Sequence, residues 1–169
     1  MRRLLLVGLV VLLAAAGPAL AQPRASAATT PISTLERRPE TRLVMDAFMP
    51  NLTKHPAYPR FSYMSLKQLQ DRDPRITDQT LERIDAALAA AQAPPSVETT
   101  PIFLLAGSPG ARDVLDSQFP GLTGHPNYPR FRFLSLRELQ GFDPRITDAM
   151  LAATQSGLDA AKTPATRVP

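Results

Sequence analysis

The apolar positions of this chain fall at helical spacing, and they do so twice. After Thr77, the residues Leu81, Ile84, Leu88 and Ala91 mark one face, with Glu82, Arg83 and Asp85 outside it. After Thr147 the matching stripe is Leu151, Thr154, Leu158 and Ala161, weaker at 154. Behind Pro109, the residues Ala111, Val114, Leu115 and Phe119 fall at i, i+3, i+4 and i+8. Behind Pro39, the residues Thr41, Val44, Met45 and Met49 repeat that face less cleanly.

Start and stop signals frame these stripes. Thr30-Pro31 and Thr100-Pro101 each predict a capped one-turn helix with Pro at its first position. Ser108 is the expected N-cap of the helix led by Pro109, and Pro50 and Pro120 are expected to stop the second helices. Ser65-x-x-Gln68 and Ser135-x-x-Glu138 read as capping boxes, opening short helices that carry Leu66 and Leu69, or Leu136 and Leu139. The nearest strand candidates, Phe61-Ser62-Tyr63-Met64 and Phe131-Arg132-Phe133-Leu134, are too short to demand a sheet. The pattern predicts an all-α protein with about four short helices per copy.

The two copies are offset by 70 residues. His55-Pro56-Ala57-Tyr58-Pro59-Arg60-Phe61 recurs as His125-Pro126-Asn127-Tyr128-Pro129-Arg130-Phe131, and Asp73-Pro74-Arg75-Ile76-Thr77-Asp78 recurs unchanged from Asp143. Half of the positions pairing 29–92 with 99–162 are identical, which marks an internal duplication. The expected organisation is a signal peptide over 1–21, a disordered tail over 22–28, unit one over 29–92, a Pro-rich linker over 93–98, unit two over 99–162 and a disordered tail over 163–169. Units of this length are marginal for an independent core, so they are expected to pack as a pseudo-symmetric pair, about a two-fold axis.

The N-terminus predicts export. Met1-Arg2-Arg3 precedes an apolar run from Leu4 to Ala16, then Gly17-Pro18 and Ala19-Leu20-Ala21, a basic, apolar and cleavage-site order. The run is shorter than the roughly 20 apolar residues a span needs. No Cys follows it, which excludes lipoprotein anchoring, and the Arg pair lacks the polar flanks of twin-arginine export.

Composition changes the picture mainly by exclusion. Among 169 residues there is no Cys, so disulfides, thiolate metal sites, iron–sulfur clusters and Cys nucleophiles are absent. The chain carries 19 basic and 15 acidic residues. Removing Arg2 and Arg3 with the signal leaves a near-balanced mature chain, so neither nucleic acid nor an anionic membrane surface is an expected partner. No G-x-S-x-G, H-E-x-x-H, G-x-x-x-x-G-K or G-x-G-x-x-G is present. No cofactor is implied, and no stable membrane insertion is expected after cleavage.

The order Thr-Pro-Ile-x-x-Leu, Pro-led helix, turn, Ser-Leu-x-x-Leu and Thr-Asp-x-x-Leu resembles the N-terminal module of di-iron cluster repair proteins. It is also similar to short repeats appended to some secreted bacterial hydrolases. The resemblance covers Thr30 to about Ala91 and Thr100 to about Ala161. Modules of the repair type often carry Cys in the central turn, where this chain has His55 to Phe61 and its copy. No catalytic residue transfers; the resemblance implies a helical interaction or ancillary module.

The chemically richest segments are these His-Pro-x-Tyr-Pro-Arg-Phe turns. The candidate binding residues are His55, Tyr58, Arg60 and Phe61, with His125, Tyr128, Arg130 and Phe131. Two readings stand. In one, the prolines stiffen a loop, the aromatics pack beneath it, and His55 and Arg60 bond loop carbonyls. In the other, the Tyr and Arg side chains form a recognition surface. A metal site would need Asp46 or Asp116, or both His brought together, and no metal ligand set is assigned. In the Asp-Pro-Arg-Ile-Thr-Asp segments, Thr77 caps a helix, Asp78 sits at its positive end, and Arg75 pairs with either Asp. Arg42 with Asp46 and Arg112 with Asp116 are expected helix-surface pairs.

The expected function is non-enzymatic binding by an exported two-unit protein in the bacterial envelope or medium. Its partner is another envelope or secreted protein, or a polymer substrate of one. The alternative is a periplasmic metal- or small-ligand-binding protein using the same turns. The export reading predicts that the protein recovered from the envelope or medium begins at Gln22. Mass spectrometry of its N-terminal peptide checks this, and a retained Met1 would refute it.

Overall fold

The architecture comes from a computed structural model, which describes residues 24–162. The expected signal peptide and the C-terminal tail lie outside them. The described residues are helical, with no strand. In the first half run α1 (Ile32–Arg37), α2 (Pro39–Phe48), a 3-10 turn (Leu52–Lys54), α3 (Tyr58–Phe61), α4 (Leu66–Gln70) and α5 (Asp78–Ala91). The second half has α6 (Ile102–Gly107), α7 (Pro109–Gln118), α8 (Tyr128–Phe131), α9 (Leu136–Gln140) and α10 (Asp148–Lys162).

Both capping boxes form. The Gln68 N–H donates to Ser65 Oγ while Gln68 Oε1 accepts from the Ser65 N–H, and Ser135 with Glu138 does the same. Thr77 and Thr147 accept from the N–H groups of Thr80 and Met150 at the starts of α5 and α10. α2 and α7 begin at Pro39 and Pro109 as expected, but Ser108 makes no side-chain cap bond.

The first helices are capped differently from expectation. Thr30 Oγ1 accepts from the Ser26 N–H and Thr100 Oγ1 from the Ser96 N–H, so both hydroxyls face backward. The N–H groups opening α1 reach instead to the carbonyls of Met64 (2.9 Å) and Ser62 (2.8 Å). Those opening α6 reach Leu134 (2.9 Å) and Arg132 (2.9 Å). The two stretches closest to strand in sequence therefore serve as carbonyl caps, satisfying donors a helix start leaves open.

Residues 24–28 and 93–98 differ from the tail and linker expected there. The Ala27 N–H donates to Asp85 Oδ1 at 2.6 Å, and the Ala27 carbonyl accepts from the Lys67 N–H at 3.1 Å. The Val97 N–H and carbonyl bond Gln155 Oε1 and the Arg137 N–H in the same way. Ala27 and Val97 are both buried. Each half thus begins with a strap laid across its fourth and fifth α-helices.

Two cores result. Ile32, Leu35, Val44, Met45, Leu66, Ile84 and Leu88 fill the first; Ile102, Leu105, Leu115, Leu136, Leu151 and Leu158 fill the second. Thr154, the weak position in the last stripe, is fully buried, and its hydroxyl donates to the Met150 carbonyl at 2.7 Å.

The halves meet through non-equivalent surfaces. Phe103 and Leu104 of α6 enter the first core, α6 packs on α2, and Leu43 of α2 sits over Gly107, which has no Cβ to obstruct it. Phe133 packs against Phe48 with the rings tilted, centroids 4.9 Å apart, and Arg132 donates to the Ala47 carbonyl at 2.9 Å. The repeat counterparts of Phe103, Leu104 and Phe133 are Ser33, Thr34 and Tyr63. Those of Leu43, Ala47 and Phe48 are Asp113, Ser117 and Gln118. The contact is heterologous, head of one half to tail of the next. A two-fold axis, which would pair equivalent faces, does not describe it.

α10 packs on α7 most closely at Gly157, where an added Cβ would lie 2.7 Å from Val114 Cγ1. Val114 is β-branched and has little χ1 freedom with which to yield. Overpacking costs about 1–3 kcal/mol and helix propensity returns about 1 kcal/mol. Gly157→Ala is therefore expected to destabilise the chain by about 1 kcal/mol, and to stabilise it in a Val114→Ala background. A double-mutant cycle by denaturant unfolding measures both signs.

Candidate functional site: a groove present in both halves

The His-Pro-x-Tyr-Pro-Arg-Phe segments are not irregular loops. Each makes one helical turn, α3 or α8, with its second Pro in the first turn where no backbone donor is lost. The chain reaches this turn through a left-handed residue, Asn51 (φ 67°) or Gly121 (φ 80°), residue types that tolerate positive φ.

The turn fixes its histidine. His55 Nδ1 accepts the Ala57 N–H at 3.1 Å and His125 Nδ1 accepts the Asn127 N–H at 3.1 Å. This differs from the expected bond to a loop carbonyl. With Nδ1 accepting, the neutral ring carries its proton on Nε2, which becomes a donor. Each imidazole lies against a Phe, His55–Phe61 at 5.7 Å and His125–Phe131 at 5.9 Å. Tyr58 and Tyr128 stand edge-on to the same rings and are partly buried, and burial pushes both phenols up. The side chains of Arg60 and Arg130 are exposed and make no hydrogen bond or ion pair with the described residues, so they do not stitch the loop.

The histidines border a groove that the separate segments did not foretell. In the second half it encloses about 670 Å³ between the end of α7, the His125 turn, α9 and the Asp143-Pro144-Arg145 loop. Phe119, Leu122, Phe131, Leu139, Ile146 and Met150 give it an apolar floor; His125, Asn127, Asp143 and Arg145 give it a polar rim. In the first half the counterpart encloses about 460 Å³, with Met49, Leu52, Leu69 and Ile76 below and His55, Asp73 and Arg75 above. His55, Asp73, Arg75 and Ile76 each line it at the position their copies occupy in the second. The clearest divergence is Phe142, 78% exposed at the second groove, where the first half has Arg72.

Both rims are internally neutral. Arg145 grips Asp143 through Nε (2.9 Å) and Nη2 (2.7 Å), and Arg75 grips Asp73 at the same distances. These hydrogen bonds bring each carboxyl from the ordinary 3.8 to about 2. Asp78 pairs instead with Lys67 and Gln70, and Asp148 with Arg137 and Gln140. The helix-surface pairs Arg42–Asp46 (3.7 Å) and Arg112–Asp116 (3.5 Å) form as expected. Among the described residues, no three His, Asp or Glu side chains gather as a metal-binding set, and no helix is long and apolar enough to cross a membrane.

Of the predicted site residues, the structure brings His55, and His125 with Phe131, to the grooves. Tyr58 and Tyr128 sit beneath the turns as packing. Sequence reading missed the Asp-Pro-Arg contribution, although that segment's unchanged repetition was the available signal. Comparison with protein-family models, curated proteins and solved structures gives no match.

The rim pairs generate a pH prediction. A carboxyl whose folded value is depressed contributes stability above its unfolded value. That contribution is lost as pH falls from 3.8 through about 2. Carboxyl NMR should show Asp73 and Asp143 titrating near 2, and Arg145→Gln should return Asp143 alone toward 3.8.

Proposed function

We propose that the chain is an exported, non-enzymatic binding protein that offers its partner two versions of one apolar groove. The observation carrying this reading is the recurrence of the groove at matching positions in both halves. Each copy combines an apolar floor, a His held through Nδ1, and an Arg–Asp pair already neutralised. Such a surface favours uncharged ligand segments with apolar side chains and a free acceptor, since the rim leaves no net charge for a strongly charged ligand. An envelope or secreted protein, or a polymer it acts on, fits that description. The second groove, wider and edged by an exposed phenylalanine, is the primary contact.

A photo-crosslinking residue placed at Phe142 tests the reading. Tyr63, 68% exposed but outside both grooves, is the matched control. In envelope extracts, saturable adducts are expected from position 142 and not from 63, and Leu122→Glu should abolish them. Equal labelling at both positions would sink the proposal.

A further inference from the structure

The seam between the halves holds a second kind of cavity, present once. It encloses about 220 Å³ and is lined by Phe48, Phe103 and Phe133, with Arg83 and Glu138 also on its lining. None of the three rings has a Phe counterpart in the repeat, and Arg83 corresponds to Ala153. The cavity therefore arose by divergence of the two copies.

Its cations are unusual. The Arg83 guanidinium lies 5.9 Å from the Phe48 ring centre and 5.5 Å from that of Phe133, and Arg132 lies 4.6 Å from Phe133. Neither has a carboxylate at ion-pair distance among the described residues. Arg132 spends one N–H on the Ala47 carbonyl, while its Nε is shut from solvent without an acceptor. Arg83 lines the cavity and Arg132 does not; Arg83 is exposed, so its guanidinium donors are open to an anion.

We propose that this seam is a binding site for a small organic monocarboxylate, its body against Phe48, Phe103 and Phe133 and its carboxylate on Arg83. The planar guanidinium fork matches a carboxylate edge to edge. The three rings favour an apolar body over a hydrated inorganic ion. Glu138, which accepts the Ser135 N–H at 2.7 Å, also lines the cavity, and a carboxylate there disfavours a dianion. The volume is below the range usual for drug-sized ligands, so the ligand is small.

Titrating the full chain with benzoate while following the arginine Nε–H signals by NMR tests this. Benzoate should shift the Arg83 signal saturably, acetate more weakly, and inorganic phosphate not at all. Arg83→Gln should weaken benzoate by about tenfold or more, the scale of a charge-assisted hydrogen bond. Arg83→Lys, which keeps the charge over the rings but loses the fork, should also weaken it. Arg112→Gln, at a helix-surface pair outside the grooves and the seam, should change nothing. A response to benzoate that does not saturate, that survives Arg83→Gln, or that phosphate reproduces would overturn the assignment.

Discussion

One six-residue helix must satisfy two cores at once. Ile102 and Leu105 face the second, while Phe103 and Leu104 face the first, and all four are buried. A helix apolar around its circumference cannot lie on a surface, so α6 fixes how the halves meet. Its counterpart α1 carries Ser33 and Thr34 at the same positions and buries only Ile32 and Leu35. From that difference follow the seat of Leu43 over Gly107, the tilted contact of Phe48 with Phe133 and the reach of Arg132 to Ala47.

Local rules made the helices legible. The boxes at Ser65 and Ser135, the caps at Thr77 and Thr147 and the leading Pro39 and Pro109 each act within one turn, so their residues announce themselves. What escaped depends on distant partners. Thr30 carries a capping signature, yet its hydroxyl turns to Ser26 because the carbonyls of Ser62 and Met64 already occupy the helix start. Ala25 to Ala27 looked too small and polar to be held, but backbone groups bond wherever Asp85, Gln92 and Lys67 offer partners. The four-residue turn at Tyr58 was hidden by its flanking prolines, which fit a helix only at its first turn.

The candidate site shows the same division. The histidine turns could be picked out from composition, and the Asp-Pro-Arg loops from their unchanged repetition. That they share a groove is a tertiary fact. Positions that the two halves share and positions where they differ have different structural results. The grooves are what both copies kept; the seam cavity is what only their difference could make. Phe48 belongs to both, lining the first groove and the seam together. An occupant of either space thus touches a wall of the other.

The heterologous seam also bears on assembly. A head-to-tail contact of this kind contains no instruction to stop, and identical copies joined by it would grow into an open filament. The counterpart surfaces of the two halves lack the seam's chemistry. At one, Ser33, Thr34 and Tyr63 replace the apolar plug; at the other, Asp113, Ser117 and Gln118 replace its socket. Repeat proteins commonly finish their stacks with polar outer faces. In this chain each repeat carries such polar residues at the positions where its sister copy makes the seam.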